Sequence, residues 1–204
     1  MNGFYLAIEG GEGAGKTTVV ALLTEALGLR GEEVVSVREP GSSQLGNEVR
    51  RLLLHWQDMS PWAEALLYAA QRAQLVSETI APALARGGFV LSDRSLYSSL
   101  AYQGAARGLG IGPVRAVNEL AVGGLFPDLV AVLMVDMATA LSRQRVTDRI
   151  GGEDDDFHKA VLEGYRTLAG EEPARVRLIE VAGSPMTVAD EILGLIDQAR
   201  EMRP

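Results

Sequence analysis

The sequence predicts an α/β fold, a central parallel sheet of five strands with helices on both faces. Three observations predict it. Five short apolar runs recur along the 204 residues, too short for independent helices and mostly without in/out alternation, as expected of parallel strands covered on both sides. Longer segments with apolar residues at helical spacing lie between the runs, so strand and helix alternate. A glycine-rich turn joins the first run to the first helical segment.

In chain order, Phe4–Ile8 is the first strand and Thr17–Leu29 a helix with one apolar face. Val34–Val37 is the second strand. Pro61–Arg86 reads as one long Ala- and Leu-rich helix, with Pro61 placed early and Gly87-Gly88 just past its end. Pro82 is expected to kink or shorten it. Phe89–Leu91 is the third strand, followed by a helix at Pro113–Val122 and a strand at Leu129–Val135. Helices at Thr139–Arg145 and Asp154–Ala169, a strand at Val176–Val181 and a helix at Thr187–Arg200 complete the series. The acidic run Glu153–Asp156 is read as a solvated helix start, where carboxylates complement the dipole. With no repeat, linker or composition break, residues 1–204 form one domain.

Composition narrows the partners. A net charge of −8 has the wrong sign for general affinity to nucleic acid or an anionic membrane, so neither is expected as a partner. An anionic substrate then needs a local cluster of cations. There are no cysteines, hence no disulfide framework and no thiolate metal site. No apolar run approaches the ~18 residues of a membrane span, and Phe4–Ile8 is too short for a signal-peptide core. A cytoplasmic location is the expectation. Among 19 basic residues only Lys16 and Lys159 are lysines, which makes the lysine at 16 conspicuous.

That lysine completes Gly10-Gly11-Glu12-Gly13-Ala14-Gly15-Lys16-Thr17, a match to G-x-x-x-x-G-K-[ST] with a strand before it and a helix after it. Glycines let the backbone turn N–H groups inward around phosphate oxygens, and the helix N-terminus adds its positive dipole end. Residues Gly10 to Thr18 are the expected ATP-binding loop of a three-layer P-loop NTPase fold. Lys16 would reach the β- and γ-phosphates, and the Thr17 hydroxyl would ligate Mg²⁺. The loop alone leaves kinase, GTPase and motor ATPase open, and no guanine-reading N-K-x-D is present. Of two acidic residues at strand ends, Asp93 is followed at once by Arg94, which favours a small phosphate acceptor nearby. Asp136 reads as a helix-start carboxylate.

Several further blocks occur in order: Arg38-Glu39-Pro40-Gly41 with Gly46 and Arg50, Leu67–Gln74, Asp93-Arg94 with Ser98–Gly104, and Asp148-Arg149 with Gly164-Tyr165. Together with Glu9–Thr18 they resemble the thymidylate kinase family over nearly the whole chain. The resemblance implies transfer of the ATP γ-phosphate to dTMP, with Mg²⁺ and a homodimeric enzyme. It implies that Tyr68 stacks on thymine, that Arg72 donates to a thymine carbonyl, and that Gln103 bonds the base edge. Ser98 and Ser99 would line the same pocket, and Tyr102 would sit against the deoxyribose. Arg38, Arg50 and Arg94 would hold the acceptor phosphate, with Glu12 near the 3′-hydroxyl and Asp93 near the metal. Ala182–Pro185 would pass beside adenine. The two histidines, His55 and His158, need no catalytic role.

The chain departs from the family pattern in places. Gly13 stands where some members carry a catalytic Arg, so the form resembled is the bacterial one that draws this cation from a lid. That lid, at about residues 142–153, looks two residues short. Arg149, then Arg145, is expected to be the transition-state cation. Ser95 replaces an aromatic and is expected to loosen the wall behind Arg94. These features keep two other readings in view, a catalytically weak nucleotide-binding homologue and a kinase with altered acceptor preference.

Overall fold

A computed structural model describes residues 3–143 and 148–202. Strands β1 (Phe4–Gly10), β2 (Val34–Arg38), β3 (Phe89–Asp93), β4 (Leu129–Met134) and β5 (Val176–Glu180) form one sheet in the order β2-β3-β1-β4-β5, all neighbours parallel. The predicted three layers are present. Phe4, Leu6 and Ile8 of β1 enter one core with α1 (Lys16–Leu29) and α9 (Pro185–Glu201), while Tyr5 and Ala7 enter the other. Residues 129–134 of β4 alternate between the two cores in the same way. Both cores are apolar, so alternation of facing leaves no alternation of character. β2 and β5, the sheet edges, are only partly buried.

The other face carries α3 (Pro61–Leu75), α6 (Ile111–Val122) and α8 (Asp155–Glu171). Ser60 caps α3 by accepting from the Ala63 N–H, and Pro61 sits in its first turn. The single helix expected to Arg86 is instead interrupted. A π-helical turn at Val76–Ile80 precedes the short α4 (Ala81–Ala85), where Pro82 lacks the N–H that would continue the ladder. A second π-helical stretch, Leu100–Ala106, follows α5 (Leu96–Ser99) and packs closely on α8. The two approach at Gly164, where a Cβ would lie 2.9 Å from that of Ala105 and 3.1 Å from the Ala101 Cα.

Two helical segments were not predicted, α5 with the π-helical stretch after it and, earlier in the chain, α2 (Gln44–His55). Ser43 caps it through the Gly46 N–H at 2.9 Å, and Val49 and Leu53 bury a narrow stripe. α7 (Met137–Arg143) starts at Asp136, whose carboxylate accepts from the Thr139 N–H and hydroxyl, the helix-start role expected of it. Asp154 likewise caps α8 through the Phe157 N–H. Among the described residues no helix is long and apolar enough to cross a membrane.

This topology places the site. From β1 the chain goes to one side for β2 and β3, then crosses to the other for β4 and β5. The C-terminal end of β1 lies at that reversal, where open α/β sheets bind ligands.

Candidate active site

The glycine-rich loop leaves β1 with Gly10, Gly13 and Gly15 at φ of 137°, 70° and 89°. Lys16 opens α1 and folds back, its Nζ donating to the Gly10 and Gly11 carbonyls at 3.2 and 2.7 Å. Burial, then the neighbouring Arg94, holds its ammonium down at about 8. The Thr17 hydroxyl donates to Asp93 Oδ2 at 3.0 Å, so the two expected metal residues meet. At Gly13 a Cβ would lie 2.3 Å from the Ala140 carbonyl oxygen of α7. α7 is thus seated on the loop, and an Arg side chain at 13 has no room.

A cavity of about 300 Å³ opens beside the loop. Glu12, Gly13, Gly15, Lys16, Thr17, Thr18 and Asp93 line it together with Arg38, Arg50, Tyr68, Arg72, Arg94, Ser98, Tyr102 and Gln103. Residues from β2, α2, α3, β3 and the π-helical stretch therefore converge on one space, as the sequence led us to expect. Gly10, Gly11 and Ala14 shape the loop without facing that cavity. Gly10 and Gly11 supply the carbonyls that receive Lys16, and Ala14 is in the core.

Arg94 is the most constrained residue of the group. Its backbone has a left-handed φ of 73°, held by its N–H to the Ile8 carbonyl at 2.9 Å and by its own carbonyl, which accepts from Ser92 Oγ. Its guanidinium donates to the Gly10 carbonyl and to Ser98 Oγ, each at 3.2 Å, pairs with Glu12 and lies 5.0 Å above the Tyr102 ring. The Arg94 charge pulls the Glu12 carboxyl from 4.5 to about 2, against the effect of burial.

Arg72 is buried. Its Nε lies 2.6 Å from Glu39 Oε2, Nη1 donates to Ser99 and Asn118, and Nη2 donates to the Ser95 carbonyl at 3.0 Å. Ser99 was expected in the pocket wall. It stands one layer back, as an acceptor for Arg72. Ser95 corrects a second expectation. Its N–H and hydroxyl both donate to the buried Glu9 at 2.7 Å, its Oγ caps α5, and its carbonyl holds Arg72. Far from loosening the wall, Ser95 ties it together.

Arg149 is the clearest departure from the sequence reading. Its Nη1 lies 2.7 Å from Glu64, its Nε donates to the Leu53 carbonyl at 3.0 Å, and it does not line the cavity. A buried carboxylate left without its counter-charge is costly, and Arg149 supplies that charge to Glu64. Here Arg149 ties its own segment to α2 and α3. Arg145 lies outside the described residues.

Sequence reasoning missed the buried carboxylates behind the site. Glu9, Glu39 and Glu64 are almost inaccessible. Glu9 accepts from Ser95, Ser98 and Tyr165, Glu39 pairs with Arg72, and Glu64 meets Gln103, Arg107 and Arg149. Glu9 does sit within the matched P-loop block, but nothing local marks any of the three as buried.

The thymidylate kinase family model matches residues 8–192. The thymidylate kinase of Synechococcus sp. (strain JA-3-3Ab) is 46% identical over 192 residues, 94% of each chain. That of Caldanaerobacter subterraneus subsp. tengcongensis is 42% identical over 201 residues, 97% of each. The crystal structure of thymidylate kinase from Ehrlichia chaffeensis superposes with a TM-score of 0.80 at 27% identity, covering 95% of this chain and 98% of that one. With the glycine-rich loop and Tyr68, Arg72 and Gln103 lining one cavity, and with this similarity along almost its whole length, the chain belongs to the thymidylate kinase family.

Proposed function

We propose that the chain transfers the γ-phosphate of ATP to dTMP, giving ADP and dTDP, inside the single cavity shared by the loop and the pyrimidine pocket. One observation carries this: Lys16 and Thr17 line the same space as Tyr68, Arg72 and Gln103. Donor and acceptor phosphates can meet there without crossing solvent, and positioning of this kind removes much of the barrier.

The acceptor needs no general base, because a phosphate monoester with a second pKa near ~6 is already largely ionised at neutral pH. The problem is repulsion between two polyanions. Lys16 and the loop N–H groups take the triphosphate, while Arg38, Arg50 and Arg94 take the acceptor phosphate. Triphosphate binding draws Lys16 away from the Gly10 and Gly11 carbonyls. Glu12, kept ionised by Arg94, accepts from the sugar 3′-hydroxyl. Tyr102 packs against the deoxyribose and Tyr68 against the base. With Arg149 engaged by Glu64, the lid cation of this reading is Arg145.

Thr17 and Asp93 fit a magnesium ion. A hydroxyl and a buried carboxylate 3.0 Å apart suit a cation that takes one or two protein oxygens and fills its shell with water and phosphate. Bound with ATP, that ion would neutralise charge on the β- and γ-phosphates. We read residues 1–204 as one domain with a lid at about 142–153. We place the enzyme in the cytoplasm, where both nucleotides are supplied. Exposed Trp62 and Leu66, one helical turn apart on α3, support a homodimer through that helix.

A coupled ADP-release assay across dTMP, dCMP, UMP and AMP tests the reading. Clear preference for dTMP is expected. Comparable turnover with all four would refute the acceptor assignment.

A further inference from the structure

Behind the cavity wall lies a carboxylate with no phosphate or sugar to serve. Glu64, in the first turn of α3, is fully buried and does not line the cavity. Its Oε1 accepts from Gln103 Nε2 at 2.7 Å, while Oε2 lies 2.7 Å from Arg149 Nη1 and 3.2 Å from Arg107 Nη2. Arg107 also reaches Glu153 at 2.6 Å.

A carboxylate can only accept, so it meets the donor end of an amide. If Gln103 turned over, its oxygen would take the place of Nε2, 2.7 Å from the Glu64 oxygen with no proton between them. Gln103 lines the cavity, and with Nε2 committed to Glu64 its Oε1 is the end left to accept. Arg72 lines the same cavity, and its Nη2 carries a second hydrogen besides the one given to the Ser95 carbonyl.

We propose that Glu64 sets the base selectivity of the enzyme by locking Gln103 as an acceptor next to the Arg72 donor. This rests on the proposed reading of the cavity as a pyrimidine monophosphate site. An acceptor beside a donor complements the N3–H and 4-carbonyl of thymine or uracil. It opposes the N3 lone pair and 4-amino group of cytosine at both positions. A buried pairing of this kind discriminates through the groups it leaves unpaired with the wrong base. Arg107 and Arg149 balance the charge of Glu64, so the carboxylate that orients the base reader also anchors the lid base at residues 149 and 153. Glu64 is a positioning residue, acting on the base through Gln103.

The test is Glu64→Gln: its oxygen stays toward Arg107 and Arg149, so its NH₂ faces residue 103 and favours the turned-over Gln103 amide. We measure kcat and KM for dTMP and dCMP, with the thermal midpoint as a control. The expected result is a fall of about tenfold or more in the ratio of kcat/KM for dTMP over dCMP, carried by KM. A merely structural role would lower kcat for both and leave the ratio where it was, and that result overturns the proposal. If native enzyme shows no preference for dTMP, the reading of the cavity fails instead. Should Glu64→Gln not fold, the Gln103 side-chain amide of the native chain is followed by NMR. Persistence of its bonded NH₂ signature on dTMP binding is expected, and reorientation of the amide on binding overturns the proposal.

Discussion

Replacing Arg72 by methionine separates what this residue does for the fold from what it does for the substrate. Arg72 and Glu39 are 2% and 1% exposed and 2.6 Å apart. Removing one partner of such a pair leaves an uncompensated buried charge and costs about 3–5 kcal/mol. At about 2–4 °C per kcal/mol for a chain of this size, the thermal midpoint should fall by about 6–20 °C. Burial already pushes the Glu39 carboxyl above its ordinary value. Losing Arg72 raises it further, so over that window the folded state holds a proton that the unfolded chain has released. The variant therefore gains stability as pH falls from neutrality toward 4.5, the ordinary carboxyl value. Adding Glu39→Leu removes the stranded charge, and the double variant should recover about half of the loss. It should not recover dTMP turnover, because the donor proposed for the base is gone in both. Scanning calorimetry and the coupled assay read the two properties separately. A single variant that melts within about 3 °C of native, or a double variant less stable than the single, would refute the charge argument.

Two further expectations follow from the phosphate loop. Lys16 titrates at about 8 in the free chain, and a bound triphosphate raises that value. ATP binding should take up a proton just above pH 8 and almost none near pH 6, as measured by calorimetry in buffers of different ionisation heat; Lys16→Arg should abolish the uptake, and equal uptake at both pH values would contradict it. Gly13→Ala should destabilise the nucleotide-free chain more than Gly15→Ala. Both carry a left-handed φ worth about 1–2 kcal/mol, but only Gly13 faces a backbone oxygen, at 2.3 Å. Equal melting temperatures would show that α7 is not seated on the loop.

Much of this was legible along the chain. The loop Gly10–Thr17 is contiguous, so its function is written locally, and the runs such as Leu129–Met134 reveal strands because both faces are apolar. α2 escaped because Gly41–Gly46 reads as loop and only Val49 and Leu53 mark the buried face beyond it. Pro82 signalled a break, yet the turn that absorbs it lies upstream at Val76–Ile80. The charged layer was the hardest to read. Glu64 looks like an ordinary first-turn carboxylate, since its partners Gln103, Arg107 and Arg149 lie 39, 43 and 85 positions away. The same pairing holds Arg149 away from the cavity. Ser95 looked like a loss of bulk because its gain, two hydrogen bonds to Glu9, depends on a strand 86 residues earlier.

The central claim is that the phosphate loop and the pyrimidine pocket share one cavity. A single ligand joining adenosine to thymidine through five phosphates tests it directly by titration calorimetry. One molecule should bind per chain, at least about tenfold tighter than ATP or dTMP alone, since the second half binds intramolecularly. Binding no tighter than ATP, with dTMP still able to bind beside it, would contradict it.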